Sequence, residues 1–282
     1  MAVFEGKIIF GKRRILNLIY SFLFVYALLL LFLFFNQRHF FYYPVKNIAS
    51  PAESGVPEMQ VIAVQPKGIQ QSIQGWYAAP ASADKAVVLY FHGNGGGIDI
   101  RASRVSPLIK EGYGVLLAEY RGYSGNPGKP TERGLYADAE AYYAWLLDQG
   151  IAENQIVIYG ESIGSGPATY LASKNWNARG LILDAPFTSF ADVIQRQMFF
   201  VPVGLILRDR YSNIDRIANI NMPLLIMHGE RDNVVSTRLG IQLYNAANGP
   251  KKLKLFSEGG HSDLYNFGAG QAVLEFLQAE TR

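Results

Sequence analysis

The chain predicts an α/β fold, a mostly parallel sheet covered by helices on both faces, and three observations carry that prediction. Short apolar runs of strand length recur at 86–91, 114–120, 156–159 and 224–227, without the alternation of a half-exposed strand. Segments of helical period separate them, at 101–111, 131–148 and 238–248. Glycine-rich or acidic turns follow the strands directly, where the ligand crevice of a parallel sheet forms.

The first segment stands apart. Residues 15–35 carry no charge, and only Asn17 and Ser21 interrupt an otherwise apolar run. At about 1.5 Å per residue this run spans a hydrocarbon core of about 30 Å. Lys12, Arg13 and Arg14 precede it, and Arg38 and Lys46 follow. The bias predicts a single-pass anchor with residues 1–14 in the cytoplasm and the rest outside, as in a bacterial inner membrane with the domain facing the periplasm. A cleaved signal peptide fits less well: the run is too long, and Asn36-Gln37-Arg38-His39 replaces a small-residue cleavage site.

Residues 36–57, rich in Pro, Ala and Ser toward their end, are expected to be a linker, and 58–282 a single domain. Runs at 61–65 and 72–77 predict an edge hairpin, and 181–183 and 253–256 two more strands. The stretch 187–222 breaks the alternation. Its Met198, Phe199, Phe200, Val201, Leu205 and Ile206, with scattered arginines, predict a small helical insertion or lid. A closing helix is expected over 271–280.

Composition narrows the chemistry. The net charge of +3 has much of its basic excess at the N-terminus, so no nucleic-acid footprint is present. The absence of cysteine excludes disulfides, thiolate metal sites and a cysteine nucleophile. No metal-ligand spacing appears, and the glycine run 93–97 lacks the lysine and serine of a phosphate loop, so no cofactor is expected.

The strand at 156–159 runs into Gly160-Glu161-Ser162-Ile163-Gly164, followed by the small residues Ser165, Gly166 and Ala168. A sharp strand-to-helix turn needs such residues at its flanks, and it lifts the Ser162 hydroxyl above the sheet edge. A serine nucleophile needs a base, an acid to orient that base, and donors for an oxyanion. His261, in the loop after the last strand, is the expected base. His92 and His228 directly follow strands and read as packed structural residues, and His39 lies beside the membrane. Asp232 is the expected acid, with Glu230 the alternative. Asp263 is too near His261 in sequence, and Asp184 reads better as a cap. The backbone N–H groups of Asn94 and Ile163 are the expected oxyanion donors, Gly95 the fallback.

From about residue 42 onward the chain resembles the α/β-hydrolase superfamily, and within it the membrane-anchored serine hydrolases with lysophospholipase-like and thioesterase-like members. The resemblance rests on Phe91-His92-Gly93-Asn94-Gly95-Gly96, Tyr120-Arg121-Gly122-Tyr123-Ser124-Gly125, the Ser162 turn, Asp184-Ala185-Pro186, His228-Gly229-Glu230-Arg231-Asp232 and Gly260-His261. Phe40-Phe41-Tyr42-Tyr43-Pro44 after an apolar segment also fits that branch. It implies cleavage of an ester or thioester, with the bilayer and an acyl substrate as partners. A peptidase or amidase using the same residues, or a catalytically inactive membrane scaffold, is the alternative.

Overall fold

The computed structural model describes residues 2–174 and 177–279. Helix α1 (Ala2–Phe41) comes first. Strands β1 (Gln60–Val64), β2 (Ile73–Ala78), β3 (Val87–Phe91), β4 (Gly114–Ala118), β5 (Ile156–Glu161), β6 (Gly180–Asp184), β7 (Leu224–Gly229) and β8 (Lys251–Phe256) form one sheet. Its order is β1-β2-β4-β3-β5-β6-β7-β8. β2 pairs antiparallel with both β1 and β4; every other neighbour is parallel. The expected edge hairpin is therefore β1–β2, and the central strands are buried on both faces, as their uninterrupted apolar character requires.

Alternate residues of each strand feed two apolar layers. Leu89, Phe91, Ile156 and Ile158 face one layer, covered by α3 (Glu132–Asp148), α4 (Ser165–Ala172) and α8 (Thr237–Ala246). Val88, Tyr90, Val157 and Tyr159 face the other, covered by α2 (Ala102–Lys110) and α9 (Ala269–Ala279). The insertion between β6 and β7 contains the short helices α5 (Phe190–Gln197), α6 (Val203–Ile206) and α7 (Ile214–Ile217).

Several boundaries differ from the sequence expectation. β4 stops at Ala118, because the chain turns at Tyr120 to seat Glu119 and Tyr120 against the site. α9 starts at Ala269 and is described to Ala279; Glu280, the expected end, lies outside the described residues.

Helix α1 continues past Phe35 to Phe41, taking in the first residues of the expected 36–57 linker. The rest of that segment is not a free tether. Tyr42 and Val56 are buried, the Tyr42 hydroxyl meets that of Tyr211 at 2.7 Å, and Ser124 N–H donates to the Val45 carbonyl. The span Arg13–Phe41 is long and apolar enough to cross a membrane.

Candidate active site

The parallel strands carry the chemistry-bearing side chains to one edge of the sheet. Ser162 follows β5 with φ of 51°, a left-handed conformation that a serine adopts only when its surroundings force it. The forcing is steric. A Cβ on Gly164 would stand 2.2 Å from the Phe91 carbonyl oxygen, and one on Gly160 would stand 2.6 Å from the Ala168 Cβ. The glycines thus let α4 press against β3 and β5, and Ser162 is left at the tip of the turn.

His261 reaches this tip from the loop after β8. Its Nε2 is 2.9 Å from Ser162 Oγ, and its Nδ1 is 2.8 Å from Asp232 Oδ2. Asp232 is buried beyond β7, where its Oδ1 accepts the Val234 and Val235 N–H groups at 2.9 and 2.8 Å. Burial alone would raise the Asp232 carboxyl, but hydrogen bonds from His228 and His261 outweigh it and hold the group below the usual carboxylate range. Burial likewise works to lower His261, yet its bond to Asp232 and the charges of Asp232, Asp184 and Glu161 leave it raised above the ordinary imidazole value.

The other expected candidates lie elsewhere. Glu230 is exposed, and the carboxylate that meets His261 belongs to Asp232. Asp263 accepts the Gly260 N–H within its own loop. His92 is fully buried, with Nε2 2.6 Å from Glu119 and Nδ1 2.6 Å from the Gly93 carbonyl, so it braces the glycine loop. His228 is buried too, but it does more than pack: its Nε2 lies 3.0 Å from the Val235 carbonyl and 3.2 Å from Asp232 Oδ2. Asp184 ends β6 buried, receives the Tyr159 hydroxyl at 2.9 Å, and burial pushes it up to about 6.

Asn94 and Ile163 line a cavity of about 350 Å³ with Ser162, His261, Phe187 and Phe190. The Asn94 side chain holds its loop against the end of α1: Nδ2 donates to the Phe41 carbonyl at 2.6 Å, and Oδ1 accepts the Tyr123 hydroxyl at 2.7 Å.

Sequence reasoning missed a clamp below this cavity. Glu161, immediately before Ser162, is buried between Arg101 and Arg104. Arg101 Nη1 also reaches the Gly95 and Gly97 carbonyls, at 2.5 and 3.2 Å, while Arg104 Nη2 reaches the Ser262 carbonyl at 2.8 Å. One carboxylate thereby ties the glycine loop, the serine turn and the histidine loop together. Burial would raise Glu161, but the two guanidiniums hold it far below its usual value. The available signal was an acidic residue inside the elbow motif and two arginines one helical turn apart after the glycine run. Among the described residues, no group of three or more His, Cys, Asp or Glu side chains is arranged to hold a metal ion.

Comparison with known proteins agrees with this fold. Residues 86–212 match the family model described as the alpha/beta hydrolase fold. The uncharacterized protein Rv2307c of Mycobacterium tuberculosis is 35% identical over 236 residues, covering 83% of each chain. The lysophosphatidylserine lipase ABHD12 of Mus musculus is 34% identical over 200 residues, which span 64% of this chain and 50% of that protein. Among solved structures, the Pyrococcus furiosus esterase Pf2001 superposes with a TM-score of 0.69 at 21% identity, over 86% of this chain and 99% of that one. At that identity the likeness speaks for the fold.

Proposed function

Because the chain belongs to the α/β-hydrolase superfamily, we propose that it is a serine hydrolase that cleaves carboxylic ester or thioester bonds through an acyl-enzyme. One observation carries the reading: the unbroken relay from Ser162 Oγ through His261 to Asp232, at 2.9 and 2.8 Å. Neutral His261, its Nδ1–H held by Asp232, takes the Ser162 proton at Nε2 as Oγ attacks the acyl carbonyl. The N–H groups of Asn94 and Ile163 receive the developing oxyanion, and His261 returns the proton to the leaving group. Water, deprotonated by the same imidazole, then releases the acyl group.

The substrate class follows from the walls and the anchor. Phe187, Phe190 and Val193 offer an apolar side to the cavity, which suits an acyl chain. The likeness to a lysophosphatidylserine lipase supports a lipid ester with a single acyl chain. Residues 15–35 anchor the protein in the membrane as one pass, with 1–14 cytoplasmic and the catalytic domain outside.

A fluorophosphonate probe tests the core of the reading. Wild-type protein labels, Ser162→Ala does not, and the labelled wild type loses hydrolysis of a lysophospholipid. Undiminished labelling of a folded Ser162→Ala protein would overturn the assignment.

A further inference from the structure

Helix α1 and the insertion after β6 touch along a stripe. Tyr26, Leu30, Leu33, Phe34 and Gln37 fall on one helix face, and each of the five is at least partly covered while most of their neighbours are exposed. Leu30 and Leu33 pack on the apolar cluster of Ile194, Val201, Val203 and Leu207. Polar bonds fix the level of each contact. Gln37 Nε2 donates to the Ile206 carbonyl at 3.1 Å and its Oε1 accepts the Arg208 N–H at 2.8 Å. Arg38 pairs with Asp209 at 2.8 Å. Farther along, the Tyr26 hydroxyl donates to the Phe200 carbonyl at 2.7 Å. From Gln37 to Tyr26 the helix rises about 16 Å, roughly half of a hydrocarbon core.

Charged Arg13 and Arg14 at one end, and polar Asn36 and Gln37 with charged Arg38 at the other, confine the apolar span to 15–35. The insertion lies beside the last ten residues of that span. Its tip exposes Phe199 and Leu205, each at 84%, and Phe200 at 52%. On the water-facing surface of a soluble domain such a patch would be costly. Its backbone is equipped for an apolar surrounding. The Phe200 carbonyl has the Tyr26 hydroxyl, and Gln195 Nε2 lies 3.1–3.4 Å from the carbonyls of Met198, Phe199 and Val201. Satisfied carbonyls at an exposed tip are what hydrocarbon demands and water does not. Arg208, whose N–H donates to Gln37 at the base of the insertion, suits the phosphate groups of lipids, while Arg210 Nη2 donates to the Gly204 carbonyl at 2.6 Å and satisfies one more carbonyl of the tip.

We propose that residues 198–207 are a second membrane-embedded element, seated in the hydrocarbon of the leaflet on the domain's side and docked along α1. The proposal rests on reading α1 as a membrane span. It has a consequence for the site. Helix α5 is the wall between the two: Phe190 and Val193 line the Ser162 cavity, while Ile194 and Met198 face α1. Phe190 also meets Phe41 edge-on at 5.4 Å. An embedded tip therefore holds the cavity mouth at the lipid surface, and the occupant of this face is lipid acyl chain rather than a second protein.

The chain has no cysteine, so single-cysteine variants of the full-length protein each carry one environment-sensitive fluorophore. Four are reconstituted in phosphatidylcholine–phosphatidylglycerol vesicles: Phe199→Cys and Leu205→Cys in the tip, Leu28→Cys in α1, and Asp148→Cys at the exposed C-terminal end of α3. Labels at 199, 205 and 28 are quenched by a phospholipid bearing a mid-chain nitroxide and shielded from aqueous iodide, and the label at 148 behaves in the reverse way. Lipid quenching at 28 with iodide quenching at 199 and 205 overturns the embedding and leaves the anchor standing. Iodide quenching at all four positions overturns both. A Phe199→Asp/Leu205→Asp variant gives a second readout: hydrolysis of a dissolved short-chain ester stays unchanged while hydrolysis of an ester in vesicles falls about 10-fold. An equal fall on both substrates overturns the membrane role of the tip.

Discussion

Arg101 grips Glu161 with two nitrogens, Nε at 3.1 Å and Nη2 at 2.9 Å, directly beneath the serine turn. Its third nitrogen holds the Gly95 and Gly97 carbonyls, so the pair sets the distance between the glycine loop and Ser162. Arg101→Ala removes one of two guanidiniums from a buried carboxylate, and a stability loss of about 3 kcal/mol is expected. Arg101→Lys restores the charge but not the planar fork, and recovers stability better than activity. Urea unfolding in detergent alongside ester hydrolysis separates the two effects. Full activity in Arg101→Lys would mean that the charge alone matters.

The pH profile of hydrolysis follows from His261. The base must be neutral, and its environment raises it above the ordinary imidazole value, so kcat/KM should climb with pH through a midpoint above 6.5. Replacing Asp232 by Asn removes the largest influences that raise His261 and leaves burial, which lowers it. The midpoint then moves toward acid, while kcat falls about 10⁴-fold because the imidazole loses its oriented tautomer. A profile that stays in place in Asp232→Asn would show that another group titrates.

The strand-end motifs were legible because a parallel sheet delivers every strand's C-terminal turn to one edge; Ser162, Asp232 and His261 needed only that rule to be brought together. Gly160 and Gly164 were legible for the same reason, since a tight turn excludes side chains. The clamp was not. Arg101 and Glu161 are 60 positions apart, and their pairing depends on how the turn just before α2 meets the end of β5, which no local pattern encodes. The docking of residues 198–207 on α1 was equally hidden, although an apolar insertion was expected there. Most of its partner stripe, Tyr26 to Phe34, lies within a run so uniformly apolar that no face stands out.

Asp184 makes the fold sensitive to alkali. Its buried carboxyl titrates at about 6 against an ordinary 3.8. A raised carboxyl binds its proton more tightly when folded, so its contribution is fully present below pH 3.8 and is lost as pH rises through 6. The loss amounts to roughly 3 kcal/mol by pH 8. Asp184→Asn keeps an acceptor for the Tyr159 hydroxyl without the charge, and should flatten this decline. Urea unfolding of both proteins at pH 4.5 and pH 8 checks it; parallel declines would mean that Asp184 is not its source.

His228 tests whether the acid is tuned by more than its own loop. Its Nε2–H is shared between the Val235 carbonyl and the carboxylate oxygen that also receives His261. His228→Leu removes this donor, weakens the depression of Asp232 and leaves a buried carbonyl unpaired, so about a 10-fold drop in kcat/KM is expected. His228→Gln, which still offers an N–H, should recover part of it. The stability cost has a direction with pH. A depressed carboxyl contributes stability that is present above about pH 4 and lost as pH falls toward its folded value, so the cost of His228→Leu should shrink in acid. The Asp232→Asn background decides between two causes. If His228 acts through the carboxylate, its loss costs little once that charge is gone. An undiminished cost there would place its role in packing instead, against Gly240, where an added Cβ would stand 2.4 Å from the His228 ring.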